Sequence, residues 1–132
     1  MCTVMFCSLE PQEDIRSAAT EASMELLDKV FCAFDQAVRR HGMFKYQHVG
    51  DWYIVACPRA AKPFDEEEQT SEYPAEYITS MIRLARDLQV TAGKFNSPES
   101  HRPLWLKVGV ACGPVAGAVI GTLRAFYCLY GD

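Results

Sequence analysis

The groups in this sequence that could do chemistry are carboxylates, thiols, imidazoles and side-chain amides, and their spacing separates them. Asp51 follows Gly50 between two stretches of strand-forming residues, so on its own it reads as turn chemistry. The acidic run Asp65-Glu66-Glu67-Glu68 offers carboxylates, but they are adjacent in sequence with no scaffold to aim them, and it reads as a solvated surface rather than a metal site. His41, His48 and His101 have no spacing that suggests zinc. Six cysteines are present (Cys2, Cys7, Cys32, Cys57, Cys112 and Cys128), none in a C-x-x-C pair. Cys7, Cys57, Cys112 and Cys128 sit in apolar runs, which predicts buried free thiols in a reducing compartment rather than a disulfide framework. Gln47 carries an amide that can both donate and accept, yet alone it reads as a polar strand residue. Cys128 alone reads as a core thiol. Trp52 and Trp105 read as core or interface packing.

These residues need elements to hold them. Residues 2–8 are apolar and rich in strand formers, and Pro11 ends that run. Residues 12–20 read as a loop or a short helix. Over 21–40 a helical period puts Leu26, Leu27, Val30, Phe31, Phe34 and Val38 on one face, and Gly42 is a natural stop. Residues 43–49 alternate, with Met43, Lys45, Gln47 and Val49 on one side. Together with the apolar run 52–57 they predict a β-hairpin turning at Gly50-Asp51. Residues 58–73 read as a solvated loop. A second helix over 74–93 buries Tyr77, Ile78, Met81, Leu84, Ala85 and Leu88, with Pro74 in its first turn. Residues 94–103 read as a polar loop, 104–111 as a strand, 115–121 as a small apolar stretch and 125–130 as a last strand. The order β-α-β-β-α-β-β predicts an α+β, ferredoxin-like fold, a mainly antiparallel sheet with helices packed on one face.

The chain has 132 residues, which suits one domain spanning 1–132. Hydrophobic residues make up 49% and charged residues 23%, a globular rather than disordered balance. The net charge of −4 argues against nucleic-acid binding. No apolar run is long enough for a membrane span. Met1–Cys7 has no basic region ahead of it and reads as a strand rather than a signal peptide. The expected setting is the cytoplasm, including as the cytosolic part of a membrane-bound signalling protein, with no direct membrane contact by this chain.

Three blocks resemble the class III adenylyl and guanylyl cyclases. One is His41-Gly42 followed by Met43 to Val55 with its Gly50-Asp51 turn. The second is Leu106-Lys107-Val108-Gly109-Val110-Ala111-Cys112-Gly113-Pro114-Val115 and then Gly121. The third is the ending Tyr127-Cys128-Leu129-Tyr130-Gly131-Asp132. They fall in family order across the whole chain. The resemblance implies cyclisation of GTP or ATP by attack of the ribose 3′ oxygen on the α-phosphorus, with two divalent cations, Mg²⁺ or Mn²⁺, at the attacking and leaving oxygens. Two aspartates hold the ions in that family, and hard cations favour such oxygen ligands. Asp51 takes the hairpin position as metal ligand, whereas the first-strand position falls on Ser8, a neutral hydroxyl. Glu10 shares Ser8's side in an extended strand but sits at the bend before Pro11.

The resemblance also implies phosphate binding by the backbone of Ser8, Leu9 and Glu10, with Pro11 replacing a glycine there. Base recognition falls to Gln47 and Cys128. Gln47 matches neither the lysine of adenylyl nor the glutamate of guanylyl cyclases, while Tyr127-Cys128-Leu129 followed by Tyr130-Gly131-Asp132 has the guanylyl form. The family's transition-state asparagine and arginine follow that ending, the asparagine three residues beyond Asp132, so no catalytic residue is expected within the chain. The site forms between two domains, which implies a homodimer or a heterodimer with another cyclase domain. The expected function is a guanylyl-type cyclase homology domain, inactive alone, acting as the degenerate half of a dimer or as a regulatory pseudo-domain. The alternatives are a truncated piece of an active guanylyl cyclase and a ferredoxin-like binding module without cyclase ancestry.

Overall fold

β1 (Cys2–Glu10) is the strand around which the other elements are arranged in the computed structural model, which describes residues 1–17, 20–124 and 126–131. Its alternation sends Met5, Cys7 and Leu9 into the main core, where all three are fully buried. On one side β1 pairs antiparallel with β3 (Trp52–Ala56), from Val4 opposite Ala56 to Ser8 opposite Trp52. On the other it pairs with β4 (Trp105–Gly113), from Cys2 opposite Gly113 to Glu10 opposite Trp105. β2 (Phe44–Val49) completes an antiparallel sheet of order β2-β3-β1-β4. The expected ferredoxin-like arrangement is therefore what the chain adopts.

Helix α1 (Gln12–Ser17) follows β1, and the long α2 (Thr20–Arg40) and α4 (Glu76–Ala92) cover the core face of the sheet. Val30, Phe34 and Val38 of α2 and Met81, Leu84 and Leu88 of α4 meet Tyr53, Val55 and the β1 residues there. Phe31, Phe34 and Tyr53 stack with ring centroids 5.2 to 5.9 Å apart, a geometry that adds to their area burial. Gly42, at a φ of 68°, ends α2 in the left-handed conformation that glycine reaches without strain.

Several expectations are corrected. The segment 58–73 is structured: a 3-10 turn spans Pro58–Ala61, and α3 spans Glu66–Thr70. Arg59 in that turn is buried and donates from Nη2 to the Ser71 carbonyl (3.1 Å), the Ser71 hydroxyl (3.2 Å) and the Glu72 carbonyl (3.1 Å). The acidic run has a local use, since the Asp65 side chain caps α3 by accepting from Glu68 N–H at 3.0 Å, and Glu66 to Glu68 lie at the positive end of the helix dipole. The stretch after Gly113 is strand β5 (Val115–Ile120), which pairs with β6 (Phe126–Gly131) in a separate two-stranded sheet. The small residues there fit a close approach, for a Cβ on Gly117 would meet the Tyr127 hydroxyl at 2.9 Å. α4 begins at Glu76, so Pro74 precedes the helix, and Ile78 faces solvent. Cys112 is exposed and Cys128 half-buried rather than core thiols, and Trp52 and Trp105 are exposed, which removes the core half of their core-or-interface reading. The expected strand start at Ala125, the terminal Asp132 and residues 18 and 19 lie outside the described residues.

Candidate functional site

Ser8, Glu10, Asp51 and Gln47 are brought near one edge and one face of the sheet by β1 and the β2–β3 hairpin. Gly50, at a φ of 59°, lets the hairpin turn, and the Asp51 carbonyl then accepts from Leu9 N–H at 3.3 Å. That bond anchors the turn to β1 and also occupies one of the three backbone groups expected to cradle phosphate.

Ser8 is buried and already engaged. Its hydroxyl accepts from the Gln12 side-chain amide at 2.6 Å and donates to Glu10 Oε1 at 3.2 Å. Glu10, also buried, accepts at Oε2 from Gln12 N–H at 3.0 Å and has Lys107 Nζ 3.6 Å from Oε1. Glu10 thus lies within β1 beside Ser8, not at a bend as expected; the strand runs on through it because it still pairs with Trp105.

Asp51 is nearly enclosed, with 11% of its side chain exposed. Its Oδ1 lies 3.8 Å from Arg16 Nη2, too long for a hydrogen bond, and its Oδ2 is buried without a partner. An unsatisfied buried carboxylate oxygen costs roughly 1–3 kcal/mol, and in native proteins such a group calls for an explanation such as an absent ion. Asp51 alone therefore fits a cation. The pair of ions is a different matter, because a two-ion site needs a second carboxylate aimed at the same place. Ser8 is neutral and Glu10 is tied to Ser8, Gln12 and Lys107. Among the described residues no group of three or more His, Cys, Asp or Glu side chains could hold a metal. The residues present do not fit the paired divalent ions.

Gln47 arrives by a route the sequence alternation hides. The register passes from Lys45 opposite Val55 to Gln47 opposite Ile54, leaving Tyr46 as a bulge. A bulge reverses the side a following residue faces. Lys45 thus points to the helix side and pairs with Asp35 at 2.9 Å, while Gln47 turns to the open face of the sheet. There it lines a cavity of about 330 Å³ between the sheet (Val4, Phe6, Ile54) and the β5–β6 hairpin (Val115, Leu129). Tyr46 shares this wall and accepts Leu129 N–H at 3.0 Å, which fixes the hairpin to β2. Cys128 is not in the lining; it stands opposite Ala118 in the hairpin, and its neighbour Leu129 takes the cavity position. The structure thus brings Gln47 and the Cys128-Leu129 strand together without putting the thiol into the cavity. Sequence reasoning missed Tyr46 and Gln12; Gln12 had a readable signal, a polar residue just past the first strand, but its reach back to Ser8 depends on the path through Pro11.

The open face beside these residues is apolar and bare. Phe6 is 45% exposed, Trp52 42% and Trp105 45%. Among the described residues no helix is long and apolar enough to cross a membrane.

The antiparallel sheet with its covering helices is a fold shared with known proteins. The chain belongs to the family described as adenylate and guanylate cyclase catalytic domain, which it matches over residues 1–132. It is 27% identical over 131 residues to the soluble guanylate cyclase gcy-32 of Caenorhabditis elegans, covering 98% of this chain and 18% of the relative. It is 31% identical over 120 residues to an adenylate cyclase of Mycobacterium tuberculosis, covering 91% of this chain and 24% of the relative. The chain therefore spans about a quarter or less of these curated relatives. Among solved structures it superposes with a TM-score of 0.78 on the guanylate cyclase domain of RhGC from Catenaria anguillulae in complex with GTP, at 23% identity, covering 99% of this chain and 66% of that one.

Proposed function

We propose that this domain is the catalytically silent half of a guanylyl-type cyclase dimer, binding a nucleoside triphosphate without cyclising it alone. The observation that supports this most directly is Ser8. It stands where the family implies the first metal-holding carboxylate, and its hydroxyl is committed to Gln12 and Glu10. With one carboxylate, Asp51, in place of two, paired ions have no second anchor, and deprotonating a ribose hydroxyl and neutralising a leaving pyrophosphate both depend on them.

Nucleotide binding is supported by the cavity at Gln47. A purine edge presents donors and acceptors, and the Gln47 amide can answer either. The Tyr127-Cys128-Leu129 strand gives the guanylyl lean, and a structural neighbour binds GTP. A dimer is supported by the bare Phe6, Trp52 and Trp105, which stand beside the site as an apolar patch of the kind a partner covers. Another structural neighbour is a dimeric guanylyl cyclase domain from Blastocladiella emersonii. The partner domain supplies what this one lacks. Its setting is the cytosolic part of a larger signalling protein, the relatives including a receptor-type guanylate cyclase.

Calorimetric titration of the chain with GTP and with ATP, with and without Mn²⁺, followed by chromatography of the nucleotide, tests this. The expected result is saturable heat with GTP recovered unchanged. Absence of binding of either nucleotide would remove the proposal, and recovery of cyclic nucleotide would replace it with an active enzyme.

A further inference from the structure

Cys2 at the start of β1 and Cys57 just past the end of β3 have their sulfurs 3.6 Å apart. Both residues are buried, and all the cysteines are free thiols. Strand pairing holds them there: Cys57 N–H donates to the Thr3 carbonyl at 2.9 Å, which makes Cys2 the diagonal neighbour of Cys57 across the β1–β3 ladder. A disulfide needs sulfurs about 2.05 Å apart, so a closure of about 1.5 Å converts this pair into one.

We propose that Cys2 and Cys57 form a dithiol–disulfide couple that small hydroperoxides oxidise. In the first step the Cys57 thiolate attacks one peroxide oxygen, the O–O bond breaks, and hydroxide leaves and takes up a proton as water. Cys57 is then a sulfenic acid. In the second step the Cys2 sulfur attacks the Cys57 sulfur, the S–O bond breaks, and a second water leaves. Two thiols and one hydrogen peroxide give one disulfide and two waters, the two electrons passing from sulfur to peroxide.

The surroundings assign the two roles. Hydrogen bonding to Cys2, the Thr3 backbone and the Tyr73 hydroxyl holds the Cys57 thiol below the usual thiol range, against the opposing effect of burial. The contact with Cys57 and burial push Cys2 above the usual thiol range, which makes it the resolving thiol of the proposed couple. Cys7 gives the internal contrast. It is equally buried but burial alone acts on it, pushing it up to about 12. The approach is from the Cys2 side: Cys2 lines both the cavity of about 330 Å³ at Gln47 and a second of about 100 Å³ beside Arg59, whereas the fully buried Cys57 lines neither, so peroxide meets Cys57 only past the Cys2 side chain. Oxidation draws the Cys2 side chain toward Cys57 and changes the wall of both.

The test treats the full chain with graded hydrogen peroxide, unfolds it in guanidinium with N-ethylmaleimide so that every remaining thiol is blocked, and maps peptides by mass spectrometry without reductant. The expected result is that Cys2 and Cys57 leave the alkylatable pool together, as one cross-linked peptide pair two hydrogens lighter than the free peptides. Dithiothreitol restores both, Cys7 stays reduced, and Cys57→Ser leaves Cys2 alkylatable. The proposal is overturned if Cys2 and Cys57 remain reduced at doses that oxidise exposed Cys32 and Cys112, or if either pairs with another cysteine instead. The mapping on the unmutated chain decides the matter even if Cys57→Ser does not fold.

Discussion

Ser8 donates its hydroxyl hydrogen to Glu10 across 3.2 Å while Gln12 donates to Ser8 across 2.6 Å. This short relay fills the ground where the family implies a second metal-holding carboxylate.

Ser8→Asp tests that reading by charge. It places a second carboxylate against Glu10, and two like charges so close cannot both ionise without cost. In EDTA the variant is expected to melt several degrees below the parent chain. Mn²⁺ is expected to bind Ser8→Asp at least ~10-fold more tightly than the parent, about 1.4 kcal/mol, and to recover the lost melting temperature by linkage. Thermal melts with and without Mn²⁺ give both quantities. Equal Mn²⁺ response in the two proteins would show that Ser8 is not what limits the site.

Gln47→Ala is expected to weaken GTP binding roughly 5- to 30-fold, the size of one or two lost hydrogen bonds at about 1 kcal/mol each, with little change in melting temperature because Gln47 is only partly buried on the open face. Calorimetry reads the first and a thermal melt the second. A variant that binds as the parent does would place the base elsewhere.

Arg59→Leu is expected to destabilise the fold by about 2–3 kcal/mol. It removes the buried donor to the Ser71 carbonyl and hydroxyl and the Glu72 carbonyl, and hydrogen bonds from a charged group contribute about that much. Hydrogen exchange is expected to speed up across 58–73 while β1 stays protected. Unchanged exchange in that segment would show that it is held by other groups.

Asp87 gives the acid limb of stability. It accepts from His41 Nε2 at 3.0 Å and Arg40 Nη2 at 3.2 Å, and the His41 bond, followed by the Arg40 bond, holds its carboxyl below the usual range. A group with a depressed folded pKa stabilises above its unfolded value and loses that contribution as pH falls through the folded one. Stability is therefore expected to fall below about pH 4, and Asp87→Asn to flatten that fall while costing about 1 kcal/mol at pH 7. Denaturant midpoints at pH 3, 4 and 7 measure it; parallel curves for the two proteins would contradict it.

The legible part of this molecule is the part whose period is simple. Phe31, Phe34 and Val38 repeat at helical spacing, and Gly50-Asp51 sits between two apolar strands, so α2 and the hairpin could be read directly. What escaped reading was set by contacts distant in sequence. Whether 58–73 is loop or structure depends on one buried arginine reaching Ser71 and Glu72. The side that Gln47 faces depends on a bulge at Tyr46 that no alternation rule announces. The centre of β5 is Ala116-Gly117-Ala118, and Gly117 lies too close to Tyr127 for a Cβ, which makes that sequence resemble a linker. At the site, Asp51 was readable from its turn, but its orphan oxygen was not, since that depends on what α1 fails to bring near it.

The central claim is silence of this domain alone, and one measurement meets it directly. The purified chain is incubated with GTP, and separately with ATP, in the presence of Mn²⁺, and cyclic nucleotide is quantified over time. The account predicts none above the protein-free control. Sustained production of cyclic GMP or cyclic AMP would contradict it, because Ser8, bonded to Glu10 and Gln12, would then have to serve in a site that needs a carboxylate.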